Sequence, residues 1–399
     1  MRFLQEALLT AFVLAILVSG CVSNKNDAGH VMAEDPAKYL LQLSPNTQHW
    51  ATKEEKWELI RDEKTFMDIT NTQNLGSAIA LAREPFPIRY PENCVMQEQV
   101  QKLIGNLSKY EMRYNLEKLT TFHTRHYDSD HGRQSSRWVL EKIKDIIQEN
   151  GANGAVTAQA FVHPWAQTST IVRIPGQTNN TVIISAHQDS MNKHQHAVSE
   201  IPAPGADNGG SGTVTIMEAL RVFLSDKDIV NGLAQNTIEF HWYSAELVGL
   251  LGSQAIIHSY VKKGREVKAL VHQGMVGYIQ GTLDAKKNES IGVITDFTDF
   301  GLTSFIKKVI DTYCDIPWVE TSCHFACSAH QVATYLHYPS ALVIESDFAY
   351  KNPHYGARDT VKHLSFDHML QHAKMTLGLV YELAYNKFSN ATLERPPDR

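Results

Sequence analysis

His187 and Asp189 stand two residues apart at the end of the apolar run that begins at Thr181, and the period of two along a strand places both side chains on one face. That spacing suits an imidazole that binds a metal while a nearby carboxylate orients it, and equally a hydrogen-bonded His-Asp pair with no metal. Glu246 follows a second strand-like run, Thr237 to Tyr243. It could serve as a general base if a metal-bound water were present to be deprotonated; without one it is an ordinary hydrogen-bonded or solvated carboxylate. Asp207 and Asn208 lie in Ala203-Pro-Gly-Ala-Asp-Asn-Gly-Gly-Ser-Gly212, a tight loop opening a helix. Cys323 and Cys327 read as half of a zinc site or as a short disulfide loop, and no second Cys/His pair sits at a suitable distance. A Gly-x-Ser-x-Gly elbow is absent, and Gly209-Gly-Ser-Gly212 resembles a phosphate loop only superficially.

These residues need a scaffold that brings distant loops together. From about residue 95 onward, helical and strand patterns alternate, which predicts an α/β fold with helices on both faces of a sheet. Helices are expected over Ser135 to Glu149, Gly212 to Leu224, Leu251 to Lys262 and Phe366 to Asn386. Strands are expected over Ser169 to Ile174, Thr181 to Ala186, Thr237 to Tyr243, Ala269 to Val271 and Ser340 to Ile344. Val182-Ile-Ile184 and Ala341-Leu-Val-Ile344 are apolar runs of the kind buried on both faces. Residues from about 36 to 75 are charged and read as weakly helical, and the Pro-rich Glu84-Pro-Phe-Pro-Ile-Arg-Tyr-Pro91 reads as a boundary.

The 399 residues, 43% apolar and 20% charged, suffice for one large core or two modest ones. A formal net charge of -6 without a dense Lys/Arg run argues against nucleic acid or an anionic membrane as the main partner. Ala7 to Val18 is too short to span a bilayer and fits the apolar core of a signal peptide over residues 1-20, with an uncleaved anchor as the alternative. Val18-Ser-Gly-Cys21 also matches a bacterial lipoprotein site, which would lipidate Cys21. Sequons at Asn106, Asn179, Asn288 and Asn390 favour a eukaryotic secretory route instead. Cys94, Cys314, Cys323 and Cys327 make an even number for an oxidising compartment.

Several segments resemble the secreted dizinc leucine aminopeptidases of the fungal type. His241-Trp-Tyr-Ser-Ala-Glu-Leu-Val-Gly-Leu-Leu-Gly-Ser253 resembles that family's Tyr-Ala-Glu-Glu-Gly-Leu-Leu-Gly-Ser segment. Pro204 to Gly212 resembles Pro-Gly-Ala-Asp-Asp-Asp-x-Ser-Gly, and Val271-His-Gln-Gly-Met-Val-Gly-Tyr278 resembles Gln-x-Asp-Met-Thr-Gly-Tyr. Asn352-Pro-His-Tyr-Gly-Ala-Arg-Asp-Thr360 resembles Asn-Pro-x-Ile-His-Thr-x-x-Asp-Thr shortened by one residue. Phe122-His-Thr-Arg125 and Gly132-Arg-Gln-Ser-Ser136 extend the likeness over nearly the whole chain after the leader.

The resemblance implies a three-layer α/β sandwich with a mixed, mostly parallel sheet, a propeptide-like segment over residues 21-86 and an aminopeptidase-like domain over 87-399. It implies removal of an amino-terminal residue from a peptide by metal-activated water, with Glu246 as base and Asp189 supporting His187, a metal ligand. The other ligand positions are altered. Asn208 stands where an aspartate bridges two zinc ions, and an amide offers one neutral oxygen. Leu247, Gly274 and Tyr355 stand where a glutamate, an aspartate and a histidine bind metal. Asp207 could reach the metal after a small loop shift, and His354 is one step from the histidine position. Zinc, the family's metal, is therefore expected to be absent here or at most one weakly bound ion, and hydrolysis lost or strongly reduced. The chain is then expected to hold peptide amino termini or a propeptide, as a secreted monomer free of membrane once its leader is cleaved. The alternative is an aminopeptidase working through a rearranged site of His187, Asp207, Glu246 and His354. Cys323-His-Phe-Ala-Cys-Ser-Ala-His330 resembles the family's disulfide segment, which implies a Cys323 to Cys327 bond.

Overall fold

The computed structural model describes residues 38–72, 88–193 and 201–388. The expected leader, Cys21, the sequon at Asn390 and the boundary near residue 86 lie outside the described residues. The chain from Ala37 onward forms one unit.

Its frame is an eight-stranded sheet. The strands are β4 (Thr157–Phe161), β5 (Ser169–Ile174), β6 (Thr181–His187), β7 (Thr237–Tyr243), β8 (Val267–Gln273), β9 (Ile291–Ile294), β10 (Trp318–Thr321) and β11 (Ser340–Ile344), in spatial order β10-β9-β11-β8-β6-β7-β5-β4. The central four, β11, β8, β6 and β7, are mutually parallel, while antiparallel pairings join β9 and β5 to them on either side. This is the mixed sheet expected of the chain.

Alternation along the buried strands gives the sheet two apolar faces. Val182, Ile184 and Ala186 enter a large cluster with Met112 and Leu116 of α3 (Lys109–Leu119), Ile143 of α4 (Asp130–Glu149), Val214 of α5 (Gly212–Phe223), Phe305 of α9 (Phe300–Tyr313) and Leu379 of α11 (Phe366–Tyr385). Ile183 enters a second cluster with Ile256 of α7 (Leu251–Lys262) and Val332 of α10 (His330–Tyr335). Short helices α2 (Gln97–Ile104), α6 (Lys227–Val230) and α8 (Gln280–Asp284) complete the set. At ~25 cal/mol per Å² of apolar surface, burial on both faces makes this central sheet the main source of stability.

The amino-terminal segment corrects one expectation. Tyr39–Ser44, read as weakly helical, is β1, paired antiparallel with β2 (Thr47–Ala51) and β3 (Met67–Asp68). Pro45-Asn46 turns the chain back, and Leu40 and Leu41 each bury on a different face, so tertiary packing overrides local propensity. Helix α1 (Lys53–Arg61) starts with a capping box: Thr52 accepts from the Glu55 amide at 3.2 Å and Glu55 accepts from the Thr52 amide at 2.7 Å. It ends in a Schellman turn, with Lys64 N–H bonded to the Leu59 carbonyl and Glu63 N–H to that of Ile60. Glu63 occupies the left-handed position, φ 56°, where glycine is usual and a side chain costs roughly 1–2 kcal/mol.

This segment shares the core of the larger domain. Leu41, Ile60 and Phe66 pack with Ala245 and Val248, and the Asp68 amide donates to the Gly249 carbonyl at 3.0 Å. Gly249, at φ 110°, allows that approach, since a Cβ there would lie 2.8 Å from the Asp68 nitrogen. We predict that Leu41→Ala, at a fully buried position, lowers the stability of the whole chain by about 2–5 kcal/mol in denaturant unfolding. An unchanged main transition would show that the segment folds apart from the sheet.

Candidate functional site

Strands β6, β7, β8 and β11 all end on one side of the sheet, and the loops that follow their carboxyl ends converge there, where ligands bind in open α/β sheets. His187 is the last residue of β6, Glu246 lies in the turn after β7, Gly274 follows β8, and Asn352–Thr360 lies beyond β11. Together with Asn208, Leu247 and Tyr355 they line one cavity of about 220 Å³, with Ile60, Glu63 and Phe66 of the amino-terminal segment as its roof.

Asp189 organises the floor. Its carboxylate accepts from His187 Nδ1 at 3.3 Å and from the backbone amides of Glu246 and Leu247, each at 3.1 Å. The turn after β7 is thereby fastened to the end of β6. Gly209, at φ 92°, lets the next loop cross over His187, since a Cβ there would sit 2.8 Å from the imidazole ring. Arg125, fully buried, ties the same loops by donating to the carbonyls of Gln188, Pro204 and Gly205.

Glu246 is buried, and one of its oxygens accepts from Ser328 Oγ at 2.6 Å and the Ala329 amide at 3.1 Å. The same oxygen lies 3.2 Å from His272 Nε2, a close but poorly aligned approach, so that Glu246 Oε2 and His272 Nε2 both lack a hydrogen bond. Burial pushes the Glu246 carboxyl up, but His272, then His187 and Ser328, hold it at about 2 against an ordinary 4.5. Burial likewise opposes charge on His187, yet Asp189 and Glu246 raise its pKa above the usual value. His272 itself is held by Ser185 Oγ at 3.0 Å from Nδ1. Sequence reasoning did not single it out. The signal available was its position, as the penultimate residue of β8, two residues before Gly274.

Two expected residues lie apart from the cavity. The Asp207 carboxylate accepts from Ser211 Oγ at 2.8 Å, the Gly277 amide at 3.0 Å and Asn352 Nδ2 at 2.9 Å, and is wholly buried in that network. His354 stacks on His363 with ring centroids 3.8 Å apart, outside the cavity wall, while Tyr355 turns inward. The loop therefore presents a phenol, not an imidazole, to the cavity. Among the described residues, one group of three His, Cys, Asp or Glu side chains has its ligand atoms within 4.8 Å of one another: Cys323, Cys327 and His330. Its two sulfurs are joined in a disulfide, while Cys94 and Cys314 are free thiols.

Residues 169–380 match peptidase family M28. The chain belongs to that family. It is 56% identical over 399 residues to leucine aminopeptidase 1 of Trichoderma harzianum, covering 100% of both chains. It is 52% identical to leucine aminopeptidase 1 of Fusarium vanettenii, covering 99% of each. Its fold is that of the Legionella pneumophila LapA aminopeptidase, with a TM-score of 0.75 at 23% identity over 88% of this chain and 100% of that one. A Zn-dependent exopeptidase from Parabacteroides distasonis shares it at a TM-score of 0.54 and 15% identity, over 70% of this chain and 99% of that one.

Beneath the M28 cleft lies a buried acidic group of Asp207, Glu345 and Asp359. Asp359 accepts from the Asp207 and Asn208 amides at 2.9 Å each, which sets the loop under the cavity. Burial, then the nearby Asp207 carboxylate, raises its pKa from 3.8 to about 7. The folded chain holds this proton more tightly than the unfolded one, so the stabilising contribution is present below about pH 4 and is lost as pH rises through about 7. Asp359→Asn cannot titrate. Its melting temperature should therefore gain on that of the wild type as pH is raised across this window, and parallel curves would contradict the assignment.

Proposed function

We propose that the cleft of this M28 chain holds a peptide segment, either a peptide amino terminus or the chain's own amino-terminal segment, and that dizinc hydrolysis is lost or strongly reduced. One observation carries the reading. Asn208, Leu247, Gly274 and Tyr355, the positions where the family resemblance expects carboxylates and a histidine, surround one cavity with His187 and supply neither. A catalytic zinc takes three protein ligands and keeps one open position, and two zinc ions need bridging negative charge between them. His187, His272 and Glu246 remain as donors, too few for two zinc sites, and one oxygen of Glu246 is already engaged by Ser328 and the Ala329 amide. The rearranged alternative loses its support, because Asp207 is committed to three hydrogen bonds and His354 faces away.

The reading also covers secretion. Asn106, Asn179 and Asn288 are exposed and Cys323 is bonded to Cys327, as suits a glycoprotein of an oxidising compartment. Among the described residues no helix is long and apolar enough to cross a membrane.

Reversion tests the proposal. A Cβ placed on Gly274 meets nothing within 4 Å, so an aspartate fits there. Asn208→Asp, Leu247→Glu, Gly274→Asp and Tyr355→His combined should raise zinc-dependent leucyl-amide hydrolysis at least about 10-fold over wild type, while single reversions do little because each leaves the set short of ligands. The residue missing before Asp359 is restored in a second version to lengthen the loop. Wild-type protein already as fast as the quadruple variant would refute the proposal.

A further inference from the structure

The roof of the cavity is built around one carboxylate. Glu63 receives a hydrogen bond from Lys193 Nζ, with Lys351 Nζ at 3.5 Å and Tyr355 Oη at 3.4 Å. The Lys193 ammonium also sits 3.5 Å above the Tyr355 ring centroid, which fixes both groups of the grip. Lys193 is largely buried, its side chain 10% exposed, whereas Glu63 is 43% exposed. Burial opposes ionisation of Glu63, but Lys193 and then Lys351 bring its carboxyl below the usual value. An exposed pair of this sort would be weak, yet here two ammonium groups and a phenol converge on one acid from two separate loops, those after β6 and β11.

Three features single out this contact. Glu63 holds the left-handed position of a Schellman turn, φ 56°, where glycine costs nothing. A side chain kept at such a position needs compensation, and the only polar contacts of this side chain among the described residues are those of the grip. Tyr355 occupies the position where a metal-binding histidine is expected, so the group that displaces a ligand also binds the acid. The two lysines bring positive charge to a cleft whose altered ligands would hold little metal.

We propose that this cleft is a carboxylate receptor: Lys193, Lys351 and Tyr355 grip one acidic side chain, which Glu63 supplies in cis and an acidic peptide can supply in trans. The inference rests on the proposed function, since it names what a metal-poor cleft binds.

The test uses the full chain and the Glu63→Gly variant, which keeps the left-handed turn free of strain while vacating the grip. Propionate is the probe and propionamide its uncharged control. Propionate should raise the melting temperature of Glu63→Gly by about 2–4 °C at ten times its half-saturating concentration, with little effect on wild type. Propionamide should do nothing, and adding Lys193→Met should abolish the response. Equal responses to both probes, or a response that survives Lys193→Met, would overturn the proposal, as would no response in Glu63→Gly. A labelled peptide covering residues 57–69 separates the two sources. Binding to wild type that is lost when the peptide carries Glu63→Gln shows capture in trans; binding to Glu63→Gly alone shows a site filled in cis. Peptide binding that ignores the Glu63→Gln change in the peptide would also overturn the proposal. Zinc content, measured on the same samples, keeps the readings apart: zinc-free protein without a propionate response fails this inference alone, and zinc-loaded protein fails the proposed function.

Discussion

An ionised carboxylate taken out of water costs several kcal/mol unless positive charge or hydrogen bonds face it, and Glu246 is buried where four parallel strands end. In a dizinc cleft the metals would supply that charge. Here the groups that face Glu246 are two imidazoles, a serine hydroxyl and a backbone amide. Each is positioned by the sheet: His187 ends β6, His272 sits near the end of β8, and Ser328 and Ala329 precede α10. One oxygen of the acid is thus satisfied locally, while its Oε2 and His272 Nε2 carry no hydrogen bond.

The second charge balance lies a few residues away. Glu63 closes the roof, and the two lysines and Tyr355 that hold it come from the loop after β6 and the loop after β11. Because Leu41, Ile60 and Phe66 pack with Ala245 and Val248, the amino-terminal segment is part of the core that positions the cleft. Roof and floor therefore depend on each other, through apolar packing at one end and through one carboxylate at the other.

Much of this was legible in the sequence. The bounds of β5, β7, β11 and α7 follow directly from apolar runs and helical spacing, since buried elements carry the strongest patterns. Short or mixed strands gave no such signal: β4 has mostly exposed or half-buried positions, and β9 and β10 have four residues each. The family segments located His187, Glu246, Leu247, Gly274 and Tyr355 around one cavity. His272 carries no motif signal of its own, standing two residues before the altered Gly274, and Lys193 and Lys351 carry none because their partner Glu63 is remote, 288 residues from Lys351. No local pattern encodes a contact of that range.

We propose that this cleft holds no pair of zinc ions at His187 and Glu246. Crystals of the wild-type chain grown with two equivalents of zinc, with data collected on both sides of the zinc absorption edge, test it directly. The account predicts no anomalous peak within reach of His187 and Glu246, with Glu246 still facing His272. A pair of zinc peaks in the cavity, ligated by His187, would contradict it.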